Sequence, residues 1–322
     1  MIKKILNNIK KYLANRVRGL FVPLEQSAIK AIVLQSLTIA QENRRKKNIK
    51  QLSEVEFSGF AQWGEDGIID WLIERLPNIP KKFIEFGVED YKESNTRMLL
   101  HLRNWRGLVM DGSDKHVSNI KRQDVYWRFD LTTTCAFIDR DNINRLIEAA
   151  GLSGDIGLLS VDIDGNDYWV WQAIDQVQPV IVVCEYNAVF GDLHRISVPY
   201  QADFQRTQAH FSNLYFGASL AALIELGREK GYTFVGSNSN GCNAFFIRQD
   251  FAPLVTASLE KVTAHPSLIR EARDSSGNLT FARGQERQKI IRHLPVFDFE
   301  TNSIKTIGDL GNLYSEQWLQ AS

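Results

Sequence analysis

From Phe83 onward, short apolar runs alternate with stretches whose apolar residues fall at helical spacing. Residues 83–86 (FIEF) predict a strand, and Asn95–Leu102 the start of a helix. Residues 107–110 (GLVM) predict a second strand and 124–129 a third, with a helix over 141–150. Residues 156–161 (IGLLSV) make a fourth, followed by a helix over 168–176, and 180–184 (VIVVC) a fifth. Several of these runs are continuously apolar, as in strands covered on both faces. A helix near 217–230 leads to strands near 232–236 and 243–248, which the Ser-Asn-Ser-Asn-Gly turn at 237–241 joins as a hairpin. Strands alternating with helices predict an α/β, doubly wound, Rossmann-like sheet with right-handed crossovers. Residues 251–322 read as a mostly helical extension packed on that sheet, with a loop at Asp274–Asn278.

The first 52 residues have another texture. Ile2, Ile5, Leu6, Ile9, Leu13, Val17 and Leu20 form a helical stripe, with lysines and arginines mainly on the other faces. Pro23 is expected to end this helix. A second apolar helix over Ala28–Ala40 precedes the run Arg44-Arg45-Lys46-Lys47. Three parts follow: a basic amphipathic arm (1–52), an α/β catalytic domain (53–250) and the extension (251–322).

Charge sharpens that division. The 322 residues hold 38 Lys or Arg and 38 Asp or Glu, a formal charge of zero. Residues 1–50 alone hold 12 basic and 2 acidic residues, so a +10 arm is joined to a −10 body. An acidic body argues against nucleic acid as a partner. The arm has three expected roles: lying on anionic lipid at the inner membrane face, pairing two copies of the chain as a homo-oligomer, or packing on its own body. The longest stretch free of charged side chains, Thr207–Ile224, contains Gln208, His210 and Asn213, so no membrane span is expected. No secretory signal is evident. Cys135, Cys184 and Cys242 are odd in number and far apart, which points to a reducing, cytoplasmic setting.

Ligands of open α/β sheets bind at the carboxyl ends of the strands. There the sequence places Glu85 and Gly87, then Asp111, Gly112 and Ser113, then Asp130, then Asp162, Asp164 and Asn166, then Glu185, Tyr186 and Asn187. Asp111, 26 residues beyond Glu85, is suited to accept both hydroxyls of a ribose, and Asp130 to receive an adenine amino group. Gly87 allows close backbone approach to the ligand. A dinucleotide would want GxGxxG, yet the segment here is Gly87-Val88-Glu89-Asp90-Tyr91-Lys92, whose acids repel a pyrophosphate. A phosphate-free ligand with a ribose and a cationic centre, S-adenosylmethionine, suits this acidic rim.

Residues 83–113 resemble the first cofactor motifs of class I S-adenosylmethionine-dependent methyltransferases. Residues 156–171 (IGLLSVDIDGNDYWVW) and 180–191 (VIVVCEYNAVFG) resemble the FkbM-like branch. So do Gln62-Trp63-Gly64-Glu65-Asp66-Gly67 and Gly241-Cys242-Asn243-Ala244-Phe245-Phe246. The resemblance covers roughly residues 57–248. It implies a seven-stranded sheet with the last strand antiparallel, an S-adenosylmethionine cofactor, and O-methylation of a sugar, glycolipid or natural product, as in polysaccharide biosynthesis. The glycine-rich first loop of the family is reduced here to Gly87.

Asp162, Asp164, Glu185 and Asn187 offer hard oxygen ligands suited to Mg²⁺ or Mn²⁺. Alternatively, Asp162 orients the cofactor amine while Asp164 and Asn166 cap the next helix. Asp162 and His194 are the candidate catalytic groups, His194 as a general base, with His210 a weaker candidate. Trp63, Tyr168, Trp169 and Tyr186 are expected near the mouth, either stacking on a ligand or packing beneath the loops. Two other function classes stay open: a nucleotide-dependent oxidoreductase, and a non-catalytic assembly module on a methyltransferase-like scaffold.

Overall fold

The computed structural model describes residues 2–320, with side chains from Leu24 onward. Among the described residues ten strands are formed: β1 (Lys82–Phe86), β2 (Arg106–Asp111), β3 (Leu131–Cys135), β4 (Gly154–Val161), β5 (Val177–Glu185), β6 (Ile196–Ser197), β7 (Tyr232–Ser237), β8 (Asn243–Arg248), β9 (Pro295–Asp298) and β10 (Ser303–Thr306). The helices are α1 (Ile2–Arg45), α2 (Glu65–Arg75), α3 (Arg97–Arg103), α4 (Asp114–Ile120), α5 (Asp124–Arg128), α6 (Ile143–Ala149), α7 (Asp167–Ala173), α8 (Arg206–Ala209), α9 (Leu220–Glu229), α10 (Ala252–Thr256), α11 (Gly284–Ile291) and α12 (Glu316–Gln320).

The main sheet has seven strands in the order β3-β2-β1-β4-β5-β8-β7. Pairing is parallel from β3 through β5, while β8 runs antiparallel to both β5 and β7. This is the Rossmann-like sheet with an antiparallel last strand that the sequence led us to expect. Alternation along the central strands builds two cores, one on each face. Leu159, Val161, Val182 and Cys184 join Trp169 and Trp171 on one side. Leu158, Ile181 and Val183 join Trp71 and Trp105 on the other.

Three expectations are corrected. Residues 124–129 are not the third strand: Asp124–Arg128 is helix α5, and β3 follows at Leu131–Cys135. The aromatic run misled, because only Val125 in this helix is buried and Trp127 is 69% exposed. The true strand, Leu-Thr-Thr-Thr-Cys, is an edge strand and has no need of a continuous apolar run. Pro23 does not end the first helix; α1 runs on through it to Arg45. A proline there removes one hydrogen bond, at a cost of about 3 kcal/mol, and the docked turns that follow offset it. The extension is not mostly helical: it carries three short helices and the hairpin β9–β10, which joins β6 in a second, three-stranded sheet.

The second half of α1 packs on the body. Ala40 is fully buried, Asn43 donates to Val55 O (2.9 Å), and Arg44 pairs with the buried Asp70 (2.7 Å). Arg103 from α3 pairs with the same carboxylate (2.8 Å). Burial pushes the Asp70 carboxyl up, but the two guanidiniums outweigh it and hold its pKa below the usual value. The stripe Ile2–Leu20 and its basic neighbours lie outside the described side chains.

Candidate active-site cleft

The carboxyl ends of β1 and β4 meet tightly. Gly87 sits at φ +70°, and a Cβ there would lie 1.7 Å from the carbonyl oxygen of Asp162. The close approach this glycine permits is therefore to the neighbouring strand end. Glu89 (φ 46°), Tyr91 (φ 62°) and Asp164 (φ 56°), all non-glycine residues in the left-handed region, follow these same two strands. Such conformations are costly and gather at binding sites.

Asp111 closes β2 and is nearly buried. Its Oδ2 accepts Glu89 N–H (2.9 Å); its Oδ1 accepts Ser113 N–H (2.8 Å) and lies 3.1 Å from His116 Nδ1. Ser113 also caps α4. Gly112 is exposed, with no atom closer than 3.5 Å to an added Cβ. Asp111, Gly112 and His116 border a cavity of about 510 Å³, whereas Ser113 does not reach it. Its apolar wall, Ala136-Phe137-Ile138, follows β3. Placing the third strand too early hid this wall and misplaced Asp130. Asp130 precedes β3, is largely exposed, and lies 3.8 Å from Arg106 at the start of β2. It is thus at the opposite end of the sheet and cannot meet an adenine.

A second cavity of about 560 Å³ continues past Gln62, Trp63, Glu85, Glu185 and Asn243. The two share Gly87, Glu89, Asp162, Asp164 and Arg206, and so form one cleft. Glu85 is fully engaged: it accepts Asn95 N–H (2.7 Å) and the Thr96 hydroxyl, fixing the entry to α3. Burial pushes it up to about 7. Glu65 ties the Gln62–Gly67 segment to the β7–β8 hairpin by accepting both Asn238 and Asn243 side-chain amides (2.8 Å each).

At the junction, one carboxylate oxygen each of Asp162, Asp164 and Glu185 lies within 4.8 Å of the others. Burial, then the neighbouring Asp164 and Asp167, raises Asp162 well above the carboxylate range. Burial, then Asp162, Asp164 and Asp167, does the same to Glu185. Glu185 Oε2 is buried with no hydrogen-bond partner. Arg206 answers the cluster from α8, pairing with Asp164 (2.7 Å) and with Glu271 of the extension. Sequence reasoning missed both Arg206 and Glu271, because neither follows a main-sheet strand.

Several expected site residues lie elsewhere. Asn187 is no ligand of the cluster: its amide donates to Leu214 O and Phe216 O (2.9 Å each) and its oxygen accepts Val189 N–H (3.0 Å). His194 lines neither part of the cleft; its Nε2 lies 3.0 Å from Asn312 O in the extension. His210 faces Ser212 and His293. Tyr168, Trp169 and Tyr186 pack beneath the loops, leaving Trp63, 43% exposed, as the aromatic at the mouth. The β4–α7 turn is held by Asp167, which accepts Ile163 and Gly165 N–H (2.8 and 2.9 Å), rather than by side chains of Asp164 or Asn166.

No family model and no curated protein matches this sequence. Among solved structures, the chain is similar to the N-terminal domain of EvdMO1 with SAH bound: TM-score 0.39, 8% identity, covering 65% of this chain and 94% of that one. An S-adenosylmethionine-dependent methyltransferase from Clostridium acetobutylicum gives TM-score 0.36 at 10% identity, covering 57% and 90%. The O-methyltransferase from Bacillus cereus in complex with SAH gives 0.34 at 13%, covering 69% and 89%. Likenesses this distant do not decide function; the fold rests on the strand order itself.

Proposed function

We propose that this chain is an S-adenosylmethionine-dependent O-methyltransferase of FkbM-like type acting on a hydroxyl of a sugar, glycolipid or related acceptor. One observation carries the reading: a single cleft joins a ribose-type acceptor, Asp111, to the half-buried pair Asp162 and Glu185. Asp111 would hold the ribose hydroxyls, and Phe137 would cover the adenine. The cofactor supplies an electrophilic methyl group on a sulfonium, whose charge the surrounding carboxylates favour. Asp162 and Glu185, whose pKa values burial and the neighbouring carboxylates raise, are more basic than ordinary carboxylates and so better suited to take the acceptor hydroxyl's proton.

Asp162, Asp164 and Glu185 also fit a hard divalent cation such as Mg²⁺ or Mn²⁺, since Glu185 Oε2 is buried and unpartnered and all three offer oxygen. Such an ion would lower the pKa of a bound hydroxyl. Arg206 already balances Asp164, which leaves Asp162 and Glu185 as the groups most in need of a cation or a shared proton. The test is calorimetric titration with S-adenosylhomocysteine and, separately, NAD. Binding of the first and not the second is expected; the reverse would make the protein an oxidoreductase.

The reading extends to the arm. Among the described residues no helix is long and apolar enough to cross a membrane. Residues 2–23 carry six Lys or Arg and no acid, and they precede the docked half of α1. We infer a peripheral contact of this segment with anionic lipid on the cytoplasmic face. Co-sedimentation with anionic vesicles should be lost on deleting residues 2–23, and equal binding by both proteins would remove this part of the reading.

A further inference from the structure

A third cavity, of about 390 Å³, lies between α1 and the layer formed by α3, α4 and α5. Neither Asp111 nor Glu185 borders it. Lys30, Lys92, Arg97, Arg122 and Arg128 line it, against the carboxylates Glu25, Asp90 and Asp124, so two positive charges are in excess. Asp124 is already engaged by Arg128 (3.1 Å) and Gln26 (2.7 Å), and Asp90 by Lys92 (3.3 Å).

Arg97 is the decisive group. It is 5% exposed. Its Nη1 donates to Tyr91 O (2.6 Å) and Gln123 Oε1 (3.0 Å), and its guanidinium sits 4.9 Å from the Phe60 ring centroid. Its Nε is buried with no acceptor, and among the described residues no carboxylate oxygen lies within 4.0 Å of it. A buried charge is ordinarily paired, because leaving it alone in a poorly solvated site is costly. Here its acceptors are two neutral oxygens, its guanidinium lies over a ring, and Asp90 and Glu25 act on it only from farther off, in a cavity where cations outnumber carboxylates. Burial accordingly lowers the pKa of Arg97. A planar guanidinium with an unused edge beside lysine and arginine side chains is suited to tetrahedral oxyanions.

We propose that this cavity binds a phosphate-class dianion, with Arg97 as its buried anchor and Arg122 and Lys30 closing over it. We further infer that the dianion belongs to the methyl acceptor, because Asp90 and Lys92, on the loop after β1, line both this cavity and the Glu185 side of the cleft. That second step rests on the methyl-transfer reading; the anion binding does not. The acceptor is then a phosphorylated sugar or a sugar on a phosphate-bearing carrier, held at its anionic end while its hydroxyl reaches Asp162 and Glu185.

The test titrates the full chain with inorganic phosphate, pyrophosphate, a hexose 1-phosphate and the neutral hexose, with and without S-adenosylhomocysteine. Phosphate is expected to bind saturably, and the hexose phosphate more tightly than inorganic phosphate. Arg122→Gln combined with Lys30→Gln should weaken phosphate about tenfold, as the sum of two exposed charge contacts, while leaving S-adenosylhomocysteine binding and the melting temperature unchanged. Arg97→Gln should abolish phosphate binding in any preparation that melts cooperatively. Binding of S-adenosylhomocysteine without any phosphate-dependent heat would overturn the anion site and leave the methyltransferase standing. Phosphate binding that the double substitution does not touch would also overturn it. A hexose phosphate no tighter than inorganic phosphate would sever the anion from the acceptor.

Discussion

Asp111 offers a quantitative test of where the nucleoside lies. A carboxylate presents about four acceptor positions. In the structure Glu89 N–H and Ser113 N–H occupy two of them, and His116 Nδ1 stands near a third. One position remains for a ribose hydroxyl, and a second opens if His116 turns away. Asp111→Asn keeps the size, removes the charge and turns one acceptor into a donor. That donor must face either a backbone N–H or the ligand. Hydrogen bonds to a charged group contribute about 1.5–3 kcal/mol each. Losing the equivalent of one should weaken S-adenosylhomocysteine about 10- to 150-fold, at 1.4 kcal/mol per decade. Calorimetry gives the dissociation constant, and a thermal melt shows that the variant folds. Asp130→Asn, at the opposite end of the sheet, is the matched control and should change nothing. An Asp111→Asn protein that melts normally and binds with unchanged affinity would refute the assignment of Asp111 to the ribose.

Gly87→Ala should lower stability by roughly 3 kcal/mol, from a left-handed φ and a blocked approach to Asp162, and should lower ligand affinity with it; a chemical denaturation curve reads the first effect. Arg44→Ala should cost about 2 kcal/mol by leaving Asp70 with one guanidinium instead of two. Because the pKa of Asp70 is held low in the folded state, the stabilisation it gives is present above its unfolded value and fades as pH falls, so the gap between wild type and Arg44→Ala should narrow in acid. Asp162 and Glu185 have the opposite sign. Their folded pKa values are raised, so the stability they contribute is full below about pH 4 and is lost as pH rises through those raised values. Glu85, at about 7, adds to the same trend. In chelator, the melting temperature should therefore slope downward from about pH 5 to pH 8 from these groups, and Mn²⁺ should flatten the slope. Glu185→Gln should reduce both the slope and the response to Mn²⁺, whereas an unaltered slope would show that these carboxylates do not titrate as the geometry requires.

The apolar central strands were readable because burial on both faces leaves little else in β1, β2, β4 and β5, and with them came Glu85, Asp111, Asp162 and Glu185 at the sheet edge. The third strand was not readable, since an edge strand of threonines has no such signature while the segment before it carries Tyr126, Trp127 and Phe129. That single shift misplaced Asp130 and concealed Phe137. Asn187 shows another limit: spacing put it beside Glu185, but its amide is spent on the carbonyls of Leu214 and Phe216 from a distant loop. Arg206, Glu271 and Arg97 matter through contacts made in three dimensions, and no local pattern marks them.

The most direct measurement is a crystal structure of the protein with S-adenosylhomocysteine and Mn²⁺. The account predicts the ribose on Asp111, the adenine against Phe137 and the thioether facing Asp162, with the ion among Asp162, Asp164 and Glu185. A nucleoside bound elsewhere, or a cleft that stays empty at saturating ligand, would contradict it.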